Sequence, residues 1–255
     1  MASWSVRRRI AYFTAVAGFF ALTAFSYYLV YKPKPTCFDG IKNQNEVGVD
    51  CGGACTLACR VQLSPLKPLW VRPLEVSKGI YDVAVLVENA NQNFGARSVG
   101  YTIRVFDDRN VTIREKKGKI YVNPGQRFVI FEPRIETGER VAKRAFVTFD
   151  QTSLPWERLT VARPEISVVA QPFKNGSRPS LAVSLTNTTA LELRDVDVAA
   201  VLSDQEQNAL GASASYLKSL RPGETKEVVF TWPHEFVQEP SFIDVYPTVN
   251  MFELE

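Results

Sequence analysis

Residues 10–31 read IAYFTAVAGFFALTAFSYYLVY, 22 consecutive positions without one charge. As a helix this run rises about 33 Å at roughly 1.5 Å per residue, enough for a hydrocarbon core of about 30 Å. No other segment constrains the chain so strongly, because everything after it must lie on one side of a bilayer. Arg7, Arg8 and Arg9 stand directly before the run, whereas Lys32 and Lys34 follow it. Contiguous positive residues ahead of a first span favour a cytoplasmic N-terminus. Trp4, Tyr12, Tyr27, Tyr28 and Tyr31 lie near the two ends, where amphipathic rings prefer the interface. The expected orientation is a short cytoplasmic segment (1–9), a single span (10–31) and an extracytoplasmic body. A retained anchor is expected over a cleaved signal. Cutting after Ala17 would leave only a few apolar residues before the cut, and cutting after Ala24 would put Leu22 three positions back.

The remaining chain is ordinary in bulk, with 45% hydrophobic and 22% charged residues over the whole sequence. A net charge of +3 gives no reason to expect a nucleic-acid partner. Its distribution is uneven. Residues 64–163 carry 17 Lys/Arg and 11 Asp/Glu, and residues 164–255 carry 6 and 13, so the halves stand at +6 and −7. Such an imbalance predicts a defined pose between the two halves, weakening as salt rises.

All four cysteines fall in one short stretch, CFDGIKNQNEVGVDCGGACTLAC, at Cys37, Cys51, Cys55 and Cys59. A segment this small builds no core of its own and needs a staple. In an exported body disulfides are favoured, with connectivity open, and a four-thiolate zinc site is the alternative. Asp39, Asn43, Asn45, Glu46 and Asp50 supply enough oxygen ligands for calcium, although not at EF-hand spacing. Short Asp and Asn side chains also tie backbone in tight turns.

The stretch resembles a cysteine motif of exported bacterial surface proteins, through Cys37, Asp39-Gly40, Asn43, Glu46, Asp50-Cys51-Gly52-Gly53, Cys55 and Cys59. The resemblance covers 23 residues. It implies an extracytoplasmic, disulfide-bonded module, taken as residues 32–60.

Pro65 and Pro68 mark residues 61–68 as an extended spacer. Beyond it the sequence repeats. RSVGYTIRVFDD (97–108) has a counterpart in RDVDVAAVLSDQ (194–205), and NPGQRFVIFEP (123–133) in RPGETKEVVFTWP (221–233). Val83, Val85 and Val87 correspond to Leu181, Val183 and Leu185. A period near 98 residues is the size of one β-sandwich. Alternation at Val99, Tyr101, Ile103 and Val105, and again at Val196, Val198, Ala200 and Leu202, marks strands with one buried face. The expected fold is all-β, with two tandem Ig/fibronectin-like β-sandwiches at 69–155 and 160–255. Ser213 to Leu220 has some helical character, but its repeat partner is strand-like.

The first copy resembles the FxLYD family of bacterial envelope domains at Ile103-Arg104-Val105-Phe106-Asp107, followed by Pro124-Gly125. Ile, Val and Phe replace the family's Phe, Leu and Tyr, and the second copy echoes the motif at Leu202 and Asp204. The family implies a membrane-tethered, fibronectin-like domain and carries no catalytic residues over.

Catalytic patterns are missing from the sequence. There is one histidine, His234, and no G-x-S-x-G, H-E-x-x-H or P-loop. No enzyme activity and no cofactor other than the candidate calcium are expected. Two surfaces are contact candidates. One is the loop with Asn89, Asn91, Asn93 and Phe94. The other is the basic hairpin with Arg109, Arg114, Lys116, Lys117 and Lys119, suited to anionic headgroups or an acidic partner, or to guarding a sheet edge. The expected role is a single-pass binding or scaffolding protein of the cell envelope, meeting an envelope protein or glycan. The alternative is a structural subunit, possible as a homo-oligomer, assembled through its sandwiches.

Overall fold

Trp4–Tyr31 form one α-helix of 28 residues, α1, with no buried residue along it. It begins before the charge-free run and takes in Arg7–Arg9. Charge limits what hydrocarbon accepts, but it does not stop a helical backbone. Thr14 and Thr23 donate their hydroxyls to the carbonyls of Ile10 (3.0 Å) and Phe19 (3.1 Å), which satisfies both groups within the apolar surface. Near the two ends the Arg8 guanidinium lies 5.2 Å from the Trp4 ring and the Lys32 ammonium 5.7 Å from the Tyr28 ring. This computed structural model describes residues 4–32, 34–150 and 155–254. Residues 1–3 of the expected cytoplasmic segment, 151–154 of the first sandwich and 255 of the second lie outside them.

The chain divides after Cys55. In the unit from Thr56 onward, β1 (Lys67–Ser77), β2 (Ile80–Glu88), β3 (Phe94–Phe106), β4 (Thr112–Val122), β5 (Arg127–Glu136) and β6 (Arg144–Asp150) build the first sandwich. One sheet runs β1-β2-β5 and the other β4-β3-β6, all pairings antiparallel. The short β7 (Glu157–Arg158) adds to the start of β3. The second sandwich repeats this order with β8 (Ile166–Ala170), β9 (Ser180–Asn187), β10 (Leu193–Ser203), β11 (Ala209–Leu220), β12 (Thr225–Thr231) and β13 (Phe242–Thr248). Its sheets are β12-β9-β8 and β11-β10-β13. The all-β tandem expected from the repeat is therefore the fold, and Ser213–Leu220 is strand.

Each sandwich has its own core, filled from alternate positions. Val83, Val85, Val87, Val99, Ile103, Val105 and Phe128 fill the first. Leu181, Val183, Leu185, Val196, Val198, Leu202 and Phe230 fill the second. The shared aspartates close the same turn in both copies. Asp107 Oδ1 accepts from the N–H of Arg109 and Val111, and Asp204 Oδ1 from that of Asn208.

A third apolar layer joins the sandwiches. Ala84, Trp70, Leu74, Val129 and Phe131 on the outer face of β1-β2-β5 pack with Val201, Ala209, Ala212 and Tyr246 on the outer face of β11-β10-β13. This is why β2 and β10 are apolar at successive rather than alternate positions: each is a central strand buried on both sides. Burying one Val- or Leu-sized side chain contributes on the order of 1.5–3 kcal/mol. The opposite charges of the halves play a lesser part, since the ion pairs Arg97–Glu157, Arg104–Glu115, Arg127–Glu88 and Arg194–Glu192 each join residues of one half.

The proline-rich segment 61–68 is not a free spacer. Leu66 is buried in the first core, Lys67 and Pro68 already belong to β1, and the Asn91 side-chain amide clamps both the N–H and the carbonyl of Ser64 at 2.8 Å. Just before it, Ala58 N–H donates to Trp156 O and Arg158 N–H to Thr56 O, so this strip extends the sandwich at β7. Leu63 and Leu66 supply the apolar surface that holds the segment against the first core.

Candidate functional site

In the cysteine module Cys37 is bonded to Cys55, Cys51 and Cys59 are disulfide-bonded too, and no free thiol occurs among the described residues. Cys37, Glu46 and Cys55 converge closely enough to suggest a metal, but the two sulfurs are joined to each other and offer no thiolate. The oxygen-rich residues around them tie turns. Asp50 accepts from the N–H of Asp39 (3.0 Å) and Gly40 (2.9 Å). Asp39 accepts from the N–H of Thr36 and Ile41 and from the Asn43 amide, and these bonds hold its carboxyl below the usual carboxylate range. The buried Glu46 accepts from the N–H of Asn43 and Asp50. Asn43 Oδ1 is buried without a partner among the described residues. Calcium takes about six to eight oxygens, whereas here the nearest carboxylates already face N–H donors. Asn45 is exposed with a positive φ, and its carbonyl would lie 2.0 Å from a Cβ at Gly53, so only glycine fits there.

In the unit from Thr56 onward, the asparagine loop is turned inward. Asn89 is 1% exposed. Its amide donates to the carbonyls of Phe94 (2.9 Å) and Asn123 (2.8 Å), and its oxygen accepts from the N–H and the side-chain amide of Asn91. Asn187, at 0% exposure, does the same in the second copy. It donates to Leu191 O (2.7 Å) and Leu220 O (2.9 Å) and accepts from Thr189 N–H and Oγ1. One buried asparagine thus locks two loops together at the end of each sandwich. The sequence signal for Asn187 was its place 98 residues after Asn89. Asn93 is exposed, and Phe94 is half-buried with the Arg158 guanidinium 5.2 Å from its ring.

The basic residues of β4 separate into two faces. β4 is an outer strand, and Lys116 and Arg114 stand opposite the inward residues Ile103 and Val105. Lys116 Nζ reaches Glu132 Oε2 at 3.9 Å, and Arg114 Nε donates to Glu136 O at 3.0 Å, so both close the sandwich rim toward β5. Glu132 also accepts from Tyr101, whose hydroxyl is pushed well up by burial and then by that carboxylate. A Cβ at Gly118 would meet the Tyr101 ring at 2.3 Å, so β4 must leave that position empty. Lys117 and Lys119 point outward with Arg104, and Lys117 pairs with Glu115 at 3.4 Å. Arg109 is exposed in the turn before β4, and His234 is exposed in the loop after β12.

Sequence reasoning missed an open groove where the sandwiches meet, of about 860 Å³. Glu88 and Arg127, paired at 2.9 Å, line it from the first sandwich. Glu165, Thr188, Tyr246 and Pro247 line it from the second. Arg163, whose Nη2 donates to Pro124 O, stands at the junction. It has no sequence signature because its walls come from segments far apart in the chain. A smaller cavity of about 180 Å³ lies between the sheets, bordered by Tyr121, Asn123, Phe131, Asp197 and Tyr246. Tyr121 donates to Asp197 Oδ2 at 3.2 Å, and burial raises the pKa of both groups.

No protein-family model and no curated protein matches the sequence. Among solved structures the chain is similar to red sea bream transglutaminase, at 13% identity and a TM-score of 0.26. That match covers 73% of this chain and 31% of the other, so the chain spans about a third of the length of the transglutaminase. A second similarity, to the 11S allergen of Cocos nucifera L., has 9% identity and a TM-score of 0.10 over 75% of this chain and 90% of that one.

Proposed function

We infer that this is a single-pass, membrane-anchored extracytoplasmic scaffold of the cell envelope, non-catalytic, which holds two β-sandwiches in one fixed pose to present a contact groove. The observation that carries the reading is the apolar layer between the sandwiches. A sheet face buried at Ala84 and Val201 fixes the groove walls relative to each other, which a flexible tandem would not do. The 28-residue apolar helix supports anchoring, and the disulfide-bonded module supports an oxidising compartment. Arg7–Arg9 support the N-in orientation. The groove offers both signs of charge with one aromatic wall, suited to a polar envelope protein or glycan.

Two measurements test this. A periplasm-dependent reporter fused after the C-terminus should be active, and an inactive fusion would contradict the orientation. Cross-linking in intact membranes should recover a partner that Arg163→Glu loses while thermal stability holds. Recovery unaffected by that change would move the contact away from the groove.

A further inference from the structure

We propose that the Cys37–Cys55 disulfide is a thiol–disulfide exchange site, which takes two electrons from a cysteine pair of an exported polypeptide, with Glu46 as the group that shares the Cys55 proton. The observation behind it is a carboxylate oxygen with no donor to accept from. Glu46 is 5% exposed. Its Oε2 accepts from the N–H of Asn43 (3.3 Å) and of Asp50 (3.1 Å). Its Oε1 faces Cys55 Sγ at 3.2 Å and has no other partner among the described residues. In the disulfide that sulfur carries no proton, so the contact is not a hydrogen bond. A buried acceptor left without a donor is costly, more so when it is charged. Reduction removes that cost, because the Cys55 thiol then donates its S–H to Oε1. The dithiol form of this pair is therefore favoured over that of a disulfide set among neutral groups. Cys51 and Cys59 are bonded separately, so the module keeps a staple while the first is open.

The two sulfurs are not equally reachable. Cys37 is partly exposed and its neighbour Phe38 is 77% exposed, whereas Cys55 is 1% exposed. A partner thiolate therefore attacks Cys37 Sγ and forms a mixed disulfide, and the electron pair of the broken Cys37–Cys55 bond goes to Cys55 Sγ. Beside the carboxylate, that thiolate takes a proton from water and shares it with Glu46 Oε1. The partner's second thiolate then attacks its own sulfur in the mixed disulfide. This closes the partner's disulfide and releases Cys37, which takes a second proton from water. The two protons shed by the partner's thiols balance these two. In the reverse direction Glu46 draws the proton from Cys55 as its sulfur attacks the mixed disulfide. Phe38 beside Cys37 offers the polypeptide an apolar contact. Each chain gives up one disulfide without turnover, and the exchange is independent of what the groove binds.

The test uses the full chain in detergent, equilibrated with dithiothreitol and its oxidised form, with thiols alkylated and mapped by mass spectrometry. Cys37 and Cys55 should become free at a ratio of the two reagents where Cys51 and Cys59 stay bonded. Glu46→Gln keeps the ties of the module. The N–H groups of Asn43 and Asp50 hold the amide oxygen in the place of Oε2, which turns the NH2 toward Cys55 and leaves its thiol no acceptor. This change should make Cys37–Cys55 harder to reduce on the order of tenfold, a fall of about 30 mV in midpoint, and leave Cys51 and Cys59 unmoved. With oxidised glutathione as the probe, Cys55→Ser should take a mixed disulfide at Cys37, and Cys37→Ser should take none at Cys55. Opening of all four cysteines together, a midpoint unmoved by Glu46→Gln or moved alike for all four, or equal glutathione uptake at Cys55 would overturn the proposal.

Discussion

Removing the buried asparagines should destabilise the body in a fixed order, with Asn89→Ala worse than Asn187→Ala. In Asn187→Ala, Leu191 O and Leu220 O lose donors, and the Thr189 N–H and hydroxyl lose an acceptor. Leu220 is fully buried, so its carbonyl is left unpaired at a cost of about 1–3 kcal/mol, while the groups nearer the surface reach water at about 0.5–1.5 kcal/mol each. Together these come to about 2.5–7.5 kcal/mol. Asn89→Ala strands more. Asn123 O and the N–H of the buried Asn91 are both left unpaired, while Phe94 O and the Asn91 amide, which keeps Ser64 O, lose one bond each, so the cost is about 3–9 kcal/mol. For a body of this size each kcal/mol moves the midpoint by about 2–4 °C, so Asn187→Ala should lower Tm by roughly 5–30 °C and Asn89→Ala by more. Asn187→Asp should be no better than alanine at neutral pH, because a carboxylate accepts but cannot donate to the two carbonyls. Thermal unfolding by circular dichroism of the full chain measures all three. A Tm within about 1 °C of the parent for Asn187→Ala, or the reverse order of the two alanine variants, would refute the accounting.

Three further outcomes are expected. Unreduced peptide mapping should recover Cys37 linked to Cys55 and no free thiol, and a mapped Cys37–Cys51 link would contradict the fold of the module. Asp197→Asn should gain stability over the parent as pH rises: burial lifts the Asp197 carboxyl above 3.8, so its contribution is complete below that value and is lost as pH climbs through the raised one. A Tm difference that does not change between acid and neutral pH would count against this. Small-angle scattering of the residues from Thr56 onward should give one radius of gyration at low and high salt, because apolar burial sets the pose; marked expansion in salt would restore charge as its cause.

Much of the fold was written locally. Period-two alternation gave β3 and β10, and the 98-residue spacing gave the tandem, because both depend on neighbours along one strand. The cysteine cluster gave its staple for the same reason. The loop asparagines and the stalk went differently. An Asn between two strands looks alike whether it faces solvent or backbone, and only the carbonyls of Asn123 and Leu220, brought from elsewhere in the chain, decide it. Pro65 and Pro68 speak for an extended segment, which the chain becomes after the 3₁₀ turn at Arg60–Gln62 and as it enters β1 at Lys67, but they do not say what that segment lies against. The two faces of β4 were legible in part. Alternation placed Arg114 and Lys116 on one side, but their partners Glu136 and Glu132 belong to β5.

The sandwiches share a strand order yet meet through different faces, and the reason is visible in β2 and β9. Both fill a core with Val83, Val85, Val87 and with Leu181, Val183, Leu185. Between those positions β2 has Ala84 and Leu86, whereas β9 has Ala182, Ser184 and Thr186. On the neighbouring strands Val129 and Phe131 of β5 correspond to Glu227 and Val229 of β12 in the repeat. The first copy therefore has an apolar outer face on β1-β2-β5 that needs cover, and the second has a hydroxyl-rich one that water satisfies. In the second copy the apolar surplus lies instead on β10, at Ala199 and Val201, so its other sheet is the one that docks. An apolar residue in the off-register of a central strand, rather than net charge, is what tells which face of each sandwich is covered.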